Sequence, residues 1–199
     1  MIRLYAKSIE DVWFGVACDE EKVFATNFGF DEKSVLQGLL SSIPFNIPFQ
    51  QLEKASAFSE SVIATLKNVY DGKDMSTSFP LAMEHLSDYA RKVLSVVSQI
   101  PVGYVSSYGY VAKAVGGGPR AVGNVMASNP FAPIVPCHRV VSSDFTLGGY
   151  GGGYGEGLKV KRAFLEREKR GYASKREIPM NSKKLQVFPV EFVLRKVKK

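Results

Sequence analysis

The stretch at residues 108–129, YGYVAKAVGGGPRAVGNVMASN, decides how the second part of the chain folds. A short helix is predicted over residues 108–115, because the three glycines that follow interrupt it. A second helix is expected from Pro119, since proline suits the first helical position, where an N–H would have no intrahelical partner. Helix, glycine turn and helix are typical of a helix-turn-helix, or of an αα-corner packed with small residues.

One face of the second predicted helix carries small and polar side chains. It is formed by residues spaced i, i+3, i+4 and i+7, namely Arg120, Gly123, Asn124 and Ala127. Such a face lets the helix backbone approach a narrow groove, while Val122, Val125 and Met126 are expected to face the core. Residues 116–121 also match a GxGxxA dinucleotide fingerprint, but no strand precedes them and no βαβ unit surrounds them, so that interpretation is rejected.

The strongest chemical signal is Val135-Pro136-Cys137-His138-Arg139-Val140-Val141. A thiol reacts as its thiolate, and a neighbouring imidazole can remove the thiol proton directly or through a water. The imidazole in turn needs a partner that fixes its tautomer. Glu168 is a candidate, because it lies on the apolar side of the last predicted helix. The alternative is that Glu168 is a solvated member of the charged run 166–170.

Two other kinds of cysteine site fit poorly. A structural zinc site would need more ligands than Cys18 and His85 can add, and adjacent ligands lack the usual spacing. The local residues that accompany a papain-like nucleophile are absent.

Composition indicates a globular intracellular protein. Of the 199 residues, 45% are hydrophobic and 23% charged, which argues against disorder. No apolar run is long enough to span a bilayer, and no secretory signal is expected. Two cysteines cannot build a disulfide framework, so a reducing compartment is expected, the cytoplasm or, in a eukaryote, the nucleus.

The charge is distributed unevenly along the chain. Residues 1–87 carry a net charge of −5, residues 88–171 carry +6, and residues 172–199 carry another +6. A polyanion such as DNA is therefore expected to meet the second part, with a merely solvated basic surface as the alternative. Residues 187–194 are compatible with a strand or a packed arm, and the basic side chains around them with phosphate contacts or a solubilising tail.

Patterning also predicts the elements that precede residue 101. They are a β-hairpin over residues 13–18 and 23–28, helices over 31–40 and 59–70, a linker over 73–83, and an amphipathic helix that ends at Pro101. Cys18 lies in the first of these strands and is interpreted as a packed core thiol.

Taken with further motifs, residues 135–141 resemble the active-site signature of the O6-alkylguanine-DNA alkyltransferases, also called methylated-DNA–protein-cysteine methyltransferases. The further motifs follow in the family's order: Ile100-Pro101-Val102-Gly103, Ser107-Tyr108-Gly109, Arg120-Ala121-Val122-Gly123, Asn129-Pro130, Gly149-Tyr150 and residues 158–168. The resemblance is close over residues 87–171 and general over the first 86.

The resemblance implies an α+β fold in three parts. Residues 1–80 would form a small N-terminal, ribonuclease-H-like domain with a short antiparallel sheet and helices. Residues 84–171 would form a mainly helical domain that holds the helix-turn-helix and the active-site cysteine. Residues 172–199 would be a basic extension beyond the family's core.

The resemblance also assigns roles to the reacting residues. Cys137 would accept the alkyl group, and His138, acting through water and oriented by Glu168, would be the base. Tyr108 would make a close steric contact with the neighbouring phosphate and would give a proton to the departing guanine. Asn129 would brace the turn between the recognition helix and the active-site strand.

Further residues would bind DNA and the flipped base. The helix face would enter the minor groove with Ala121, Gly123, Asn124 and Ala127, and Arg120 would fill the space that the flipped base leaves. The carbonyl groups of Cys137 and Val140 would read the guanine amine, and Tyr150 and Gly151 would lie on a lid over the pocket.

The function that the resemblance implies is direct repair of O6-alkylguanine, and of O4-alkylthymine, by irreversible transfer of the alkyl group to Cys137 after base flipping. The protein would be consumed in one turnover. No cofactor and no metal are expected, because the lesion is the alkyl donor. The expected partner is double-stranded DNA that contains O6-alkylguanine, with no membrane involved and a monomeric chain.

Two other classes of function stay open. A lesion-binding protein of the alkyltransferase-like kind would flag damage without repairing it, although those relatives lack the acceptor cysteine. A helix-turn-helix regulator would need no chemistry at Cys137.

Three features depart from the family pattern. The glycine-rich lid at residues 149–157 is about four residues longer than the usual connection. Phe145 stands where the family has a turn glycine, and Gly151 stands where some members carry a lid serine.

Overall fold

A computed structural model describes residues 1–75, 78–150, 156–180 and 183–197. The chain divides into two compact units. The first comprises Met1–Tyr70, Met75–Leu86 and Pro130–Ile134, and the second comprises Asp71–Asp74, Ser87–Asn129 and Val135–Lys199. Within the described ranges, no helix has both the length and the apolar character needed to cross a membrane.

The first unit is a four-stranded sheet with two helices. Its elements are β1 (Ile2–Ile9), β2 (Val12–Cys18), β3 (Val23–Gly29), α1 (Glu32–Ser42), β4 (Phe49–Gln51) and α2 (Ala57–Tyr70). The strand order is β3-β2-β1-β4, in which β1 is antiparallel to β2 and parallel to β4. The predicted hairpin and both predicted helices are present.

One apolar cluster of this unit lies between the sheet and α1. Ile2, Leu4 and Ala17 from the strands pack with Leu39 from α1. Asp31 sets the start of α1, because its carboxylate accepts a hydrogen bond from the Ser34 N–H at 2.8 Å. At the edge of the sheet formed by β3, Leu81 pairs with Val23, so the end of the predicted linker joins the sheet.

The second unit combines helices with a sheet. Its elements are α3 (Asp88–Val97), β5 (Tyr104–Ser107), α4 (Tyr108–Val115), α5 (Pro119–Ala127), a 3₁₀ turn (Cys137–Arg139), β6 (Val140–Val141), α6 (Glu156–Arg167), β7 (Arg176–Met180), β8 (Lys183–Pro189) and α7 (Val190–Val197). The strand order is β6-β5-β8-β7. The α+β fold class expected from the sequence is thus confirmed, and the second part carries a larger sheet than patterning predicted.

The helix-turn-helix segment has the predicted boundaries. Ser107 caps α4 by accepting a hydrogen bond from the Tyr110 N–H at 3.2 Å. The helix ends at Gly116, whose φ of 90° is a left-handed value that glycine adopts without a Cβ clash. Pro119 opens α5 at the first helical position, as its missing N–H favours.

The C-terminal extension is a packed part of the second unit. Within β8 and α7, Phe188, Val190, Val193 and Leu194 join one buried apolar cluster with residues of β5, β6 and α6. The strand compatible with residues 187–194 stops at Pro189, and a helix begins at Val190 because the apolar side chains that follow recur at helical spacing.

A pair of glycine variants tests the turn between α4 and α5. Gly116 and Gly117 both have φ near 90°, but a Cβ on Gly117 would lie 2.8 Å from the Tyr89 hydroxyl, whereas a Cβ on Gly116 meets nothing within 4 Å. We expect Gly116→Ala to lower the free energy of unfolding by about 1 kcal/mol through backbone strain. Gly117→Ala should lower it by about 2 kcal/mol, because Tyr89 must also move. Urea denaturation of both variants measures the difference, and equal losses would show that Tyr89 moves freely.

Candidate active site

Cys137 lies at the start of a tight turn between two buried segments. The Cys137 N–H donates to the Val135 carbonyl at 2.8 Å, and the Arg139 N–H donates to the Pro136 carbonyl at 2.9 Å. The chain then enters β6, which pairs in parallel with β5 through Ser106 and Ser107. The turn therefore places Cys137 just before the start of β6, and this residue is only 7% exposed.

Three polar side chains act on the Cys137 thiol. Burial raises the pKa of this thiol, while hydrogen bonds with Asn129 and Tyr150 and the positive charge of Lys161 lower it. Asn129 also donates from its side-chain amide to the Val135 carbonyl at 2.9 Å, which ties it to the backbone just before the cysteine. These three groups offset part of the cost of desolvation, and the pKa of the thiol still lies above its ordinary value.

Glu168 is fully buried and is the centre of a charged network. Its Oε1 lies 2.8 Å from Nε2 of His138. Arg139 donates to the same carboxylate from Nε at 3.0 Å to each oxygen and from Nη2 at 2.8 Å. Nη1 of Arg139 donates to the Ile100 carbonyl at 2.6 Å. The structure therefore brings Glu168, which follows α6, against His138 and Arg139 of the turn that carries Cys137.

This network sets the protonation of its members. Burial opposes the charge on Glu168, but His138 and Arg139 together lower the pKa of this carboxyl to about 2. Burial also lowers the pKa of His138, and Glu168 works in the opposite direction. A neutral His138 that donates from Nε2 to Glu168 has its free lone pair on Nδ1, and this atom is buried with no partner among the described residues.

Lys161 is a buried cation that sequence reasoning missed. Its side chain is wholly buried, and Nζ donates to the Val140 carbonyl at 2.6 Å and the Gly149 carbonyl at 3.0 Å. Burial lowers the pKa of Lys161 to about 8. Its spacing in the sequence could have indicated that Lys161 is buried. It precedes Phe164, Leu165 and Glu168 by three, four and seven residues, which places it on the same helix face.

Arg139 was also missed as a member of the network. A cation inside the apolar run from Val135 to Val141 indicates a buried partner, because an unpaired buried charge is costly. The His138 ring also stacks on Phe164 with centroids 4.5 Å apart, so α6 positions both the imidazole and its carboxylate partner.

The remaining predicted pocket residues surround the same turn. The Tyr108 hydroxyl donates to the Gly149 carbonyl at 3.4 Å, and burial raises the pKa of Tyr108, with the Cys137 thiolate adding to the shift. Burial and Cys137 raise the pKa of Tyr150 as well. The Val140 carbonyl, predicted to read the guanine amine, accepts the bond from Lys161. Gly151 lies outside the described residues.

The predicted DNA-binding face lies on α5. Arg120, Asn124 and Ala127 are exposed and Ala121 and Gly123 are half-buried, whereas Val122 and Met126 are buried on the opposite side. A Cβ placed on Gly123 would meet nothing within 4 Å. The helix thus presents one arginine on an otherwise small surface. Among the described residues, no group of three or more His, Cys, Asp or Glu side chains is placed to hold a metal ion.

A glutamine at position 168 tests the charged network. The pKa of the Glu168 carboxyl falls from an ordinary 4.5 to about 2 on folding, so its stabilising effect is complete above pH 4.5 and is lost as the pH falls towards 2. This shift corresponds to about 3 kcal/mol. At pH 7, Glu168→Gln should lower the free energy of unfolding by about 3 kcal/mol or more, because Arg139 loses its buried counter-charge.

The pH dependence of stability separates the loss of the Glu168 charge from any change in packing caused by the substitution. Between pH 4.5 and 2, the free energy of unfolding should fall less steeply for Glu168→Gln than for the wild-type chain. Glu53→Gln, which changes an exposed carboxyl, should alter stability by no more than about 0.5 kcal/mol. Parallel acid limbs for the wild type and Glu168→Gln would contradict the assignment of this carboxylate.

Comparison with known proteins supports the family resemblance of the second unit. Residues 88–170 match the family model of the 6-O-methylguanine DNA methyltransferase, DNA binding domain. A methylated-DNA–protein-cysteine methyltransferase from Methanothermobacter thermautotrophicus is 45% identical over 82 residues, which are 41% of this chain and 44% of that protein. The chain spans about half the length of the curated relatives it matches, from 44 to 62%.

Solved structures extend the likeness to most of the chain. The O6-methylguanine-DNA methyltransferase from Pyrococcus kodakaraensis is 28% identical, with 84% of this chain and 99% of that chain covered and a TM-score of 0.61. The O6-methylguanine methyltransferase from Mycobacterium tuberculosis is 25% identical, with 85% and 93% covered and a TM-score of 0.63.

All the predicted site residues, from Tyr108 to Glu168, fall inside the matched segment. The resemblance drawn from the sequence motifs is thereby confirmed: over residues 88–170, this chain matches the 6-O-methylguanine DNA methyltransferase family.

Proposed function

We propose that this chain repairs O6-alkylguanine in duplex DNA by transferring the alkyl group to Cys137. The observation that carries the proposal is the buried Cys137 thiol, held beside a buried lysine and two hydrogen-bonding side chains. A buried thiol with no reaction to perform gains nothing from Lys161, whose own burial is costly. The match to a DNA-binding domain of methyltransferases points to the same reaction.

The first step is formation of the thiolate. His138 removes the thiol proton, through water, because its Nδ1 is the free nitrogen when Nε2 donates to Glu168. Glu168 stabilises the imidazolium that forms, whereas the positive charge of Arg139 opposes it. The thiolate is then stabilised by the ammonium of Lys161 and by hydrogen bonds with Asn129 and Tyr150.

Alkyl transfer follows by in-line attack of Sγ on the alkyl carbon. The S–C bond forms as the bond between that carbon and guanine O6 breaks, and the electron pair stays on the guanine. Tyr108 supplies the proton that the guanine takes up, and its phenolate regains a proton from the His138 imidazolium through solvent. The proton lost by the thiol thereby balances the proton gained by the base. The thioether product cannot release the group under mild conditions, so each chain reacts once.

The α5 face fits the DNA side of the proposal. An alkylated base inside the stack cannot be reached by a buried thiol, so it has to be flipped out. The small residues Gly123 and Ala127 allow close approach of α5 to the minor groove, and Arg120 is exposed on the same face, where it can fill the vacated space. The net charge of +6 on residues 88–171 favours the phosphate backbone. O4-alkylthymine, with the same kind of alkyl ether, is proposed as a second substrate.

Mass spectrometry tests the reaction directly. A duplex oligonucleotide with one O6-methylguanine should add one methyl group to the peptide that contains Cys137, restore guanine in the DNA, and show no second turnover. Cys137→Ser should bind the duplex and add no methyl group, whereas Cys18→Ser should react like the wild type. An unmodified wild-type protein that binds the lesion tightly would instead indicate a damage sensor, and equal affinity for undamaged duplex would indicate a regulator.

A substitution at Lys161 tests the stabilisation of the thiolate. Lys161→Met removes the ammonium while keeping much of the side-chain volume, so the pKa of Cys137 should rise and the single-turnover rate at pH 7 should fall by about tenfold or more. Because the pKa of Lys161 is about 8, the wild-type chain also loses this charge at higher pH, and the ratio of the two rates should shrink.

The matched control is Lys159→Met on the same helix. Lys159 is exposed and pairs with Glu156, so its replacement should leave the rate within about twofold of wild type. Equal rates for wild type and Lys161→Met at pH 7 would remove Lys161 from the mechanism.

A further inference from the structure

The residues beyond the family match pack against β5, the strand that pairs with β6 beside the site. In β8, Phe188 pairs with Val105 of β5, and the Ser106 hydroxyl donates to the Gln186 carbonyl at 2.7 Å. On its other edge β5 pairs with β6, which follows Cys137–Arg139 directly. The extension is therefore hydrogen-bonded to the central strand of the site's own sheet.

The extension also packs on the turn that follows β6. Phe145 has a φ of 64°, a left-handed value that is unfavourable for a residue with a side chain. Its ring contacts Phe188 at 5.0 Å and Phe192 at 5.7 Å between centroids. Phe145 occupies the position of the family's turn glycine, so aromatic contacts with the extension offset the strain that a glycine would not have.

Glu191 is the polar residue of the extension that reaches the end of α6. It lies in the first turn of α7 and is 6% exposed. Its Oε1 accepts hydrogen bonds from the backbone N–H groups of Arg170 at 3.2 Å and Gly171 at 2.6 Å. Its Oε2 is buried with no partner among the described residues, so both bonds are made by one oxygen.

These two N–H groups follow Glu168 by two and three residues. After the Glu168 N–H bonds to the Phe164 carbonyl, the backbone of the turn makes one long bond, from the Lys169 N–H to the Glu166 carbonyl at 3.4 Å. The Arg170 guanidinium donates to the carbonyls of Arg167 and Lys169 at 3.2 Å each and also to that of Gly72. Glu191 thus fixes the chain on the C-terminal side of the carboxylate that holds His138.

We propose that Glu191 is a positioning residue for alkyl transfer, which it serves by holding the turn after α6 so that Glu168 stays in contact with both His138 and Arg139. This role rests on the proposed function. The four contacts of Glu168 with nitrogen atoms lie between 2.8 and 3.0 Å, a geometry that a small displacement of the carboxylate would break. Misplacement by about 1 Å can cost a hundredfold in rate, and here the buried face of α6 limits the displacement.

The test compares Glu191→Ala with Glu191→Gln in the full chain. Glu191→Ala removes the acceptor, so the single-turnover methyl transfer rate should fall about tenfold, within the range expected for a displaced catalytic group. Affinity for an undamaged duplex should stay within about twofold. Glu191→Gln keeps an oxygen at the Oε1 position and should restore the rate to within about twofold of wild type.

Two readouts separate positioning from a general loss of stability. Because Glu168 raises the pKa of His138, its displacement in Glu191→Ala should move the acid limb of the rate profile to lower pH. Amide exchange at Arg170 and Gly171 should accelerate in this variant while the amides of α4 and α5 keep their protection. The matched control is Glu177→Ala, which removes an exposed carboxylate of the same extension that pairs with Lys184, and it should change neither readout.

An unchanged rate in Glu191→Ala, an unchanged pH profile, or an equal loss in Glu191→Gln would overturn the positioning role. If Glu191→Ala does not fold, Glu191→Asp, with a shorter reach to the same N–H groups, should show the loss of rate, and a wild-type rate there would overturn the role equally. Absence of methyl transfer by the wild-type chain would contradict the proposed function itself, which keeps the two failures distinct.

Discussion

The bidentate contact of Arg139 with the buried Glu168 carboxylate is the interaction on which the site depends. A carboxylate with no exposure would be costly unless its charge were matched, and Arg139 matches it while His138 takes a further bond. Because Arg139 also donates to the Ile100 carbonyl, one guanidinium connects the turn of Cys137, the end of α6 and the segment before β5. The imidazole of His138, which we propose as the base, is oriented by a network that also connects separate parts of the fold.

The thiol is placed under opposing electrostatic effects. Burial raises the pKa of Cys137, and Lys161, Asn129 and Tyr150 lower it. Lys161 is itself buried, so its own pKa falls to about 8, and it still carries its charge in most molecules at neutral pH. A dry pocket strengthens every one of these interactions once the thiolate exists. The groups that would stabilise the thiolate are therefore in place before it forms.

The C-terminal extension, which lies beyond the segment that matches the family model, packs beside the candidate site. Through β8 it completes the sheet around β5, through Phe188 and Phe192 it supports the left-handed Phe145, and through Glu191 it holds the turn after Glu168. Its basic composition alone gave no hint of this packing. The charges lie on exposed side chains, whereas the residues that pack are apolar and recur at helical spacing only from Val190 onwards.

The sequence by itself determined the local elements and was enough to propose Cys137, His138 and Glu168 as the residues of the site. Glycines and Pro119 fixed the boundaries of α4 and α5, since backbone conformation at these positions is a local property. The motif around Cys137 and the family order of the other motifs pointed to Glu168 as the partner of His138. Only the tertiary structure decided that Arg139 and Lys161 belong to the site and that Glu191 contacts its edge. For most of these contacts the partner lies 20 or more residues away along the chain. The role of a buried charged side chain depends on which counter-charge or acceptor folding brings within hydrogen-bond distance, and the local sequence does not show this.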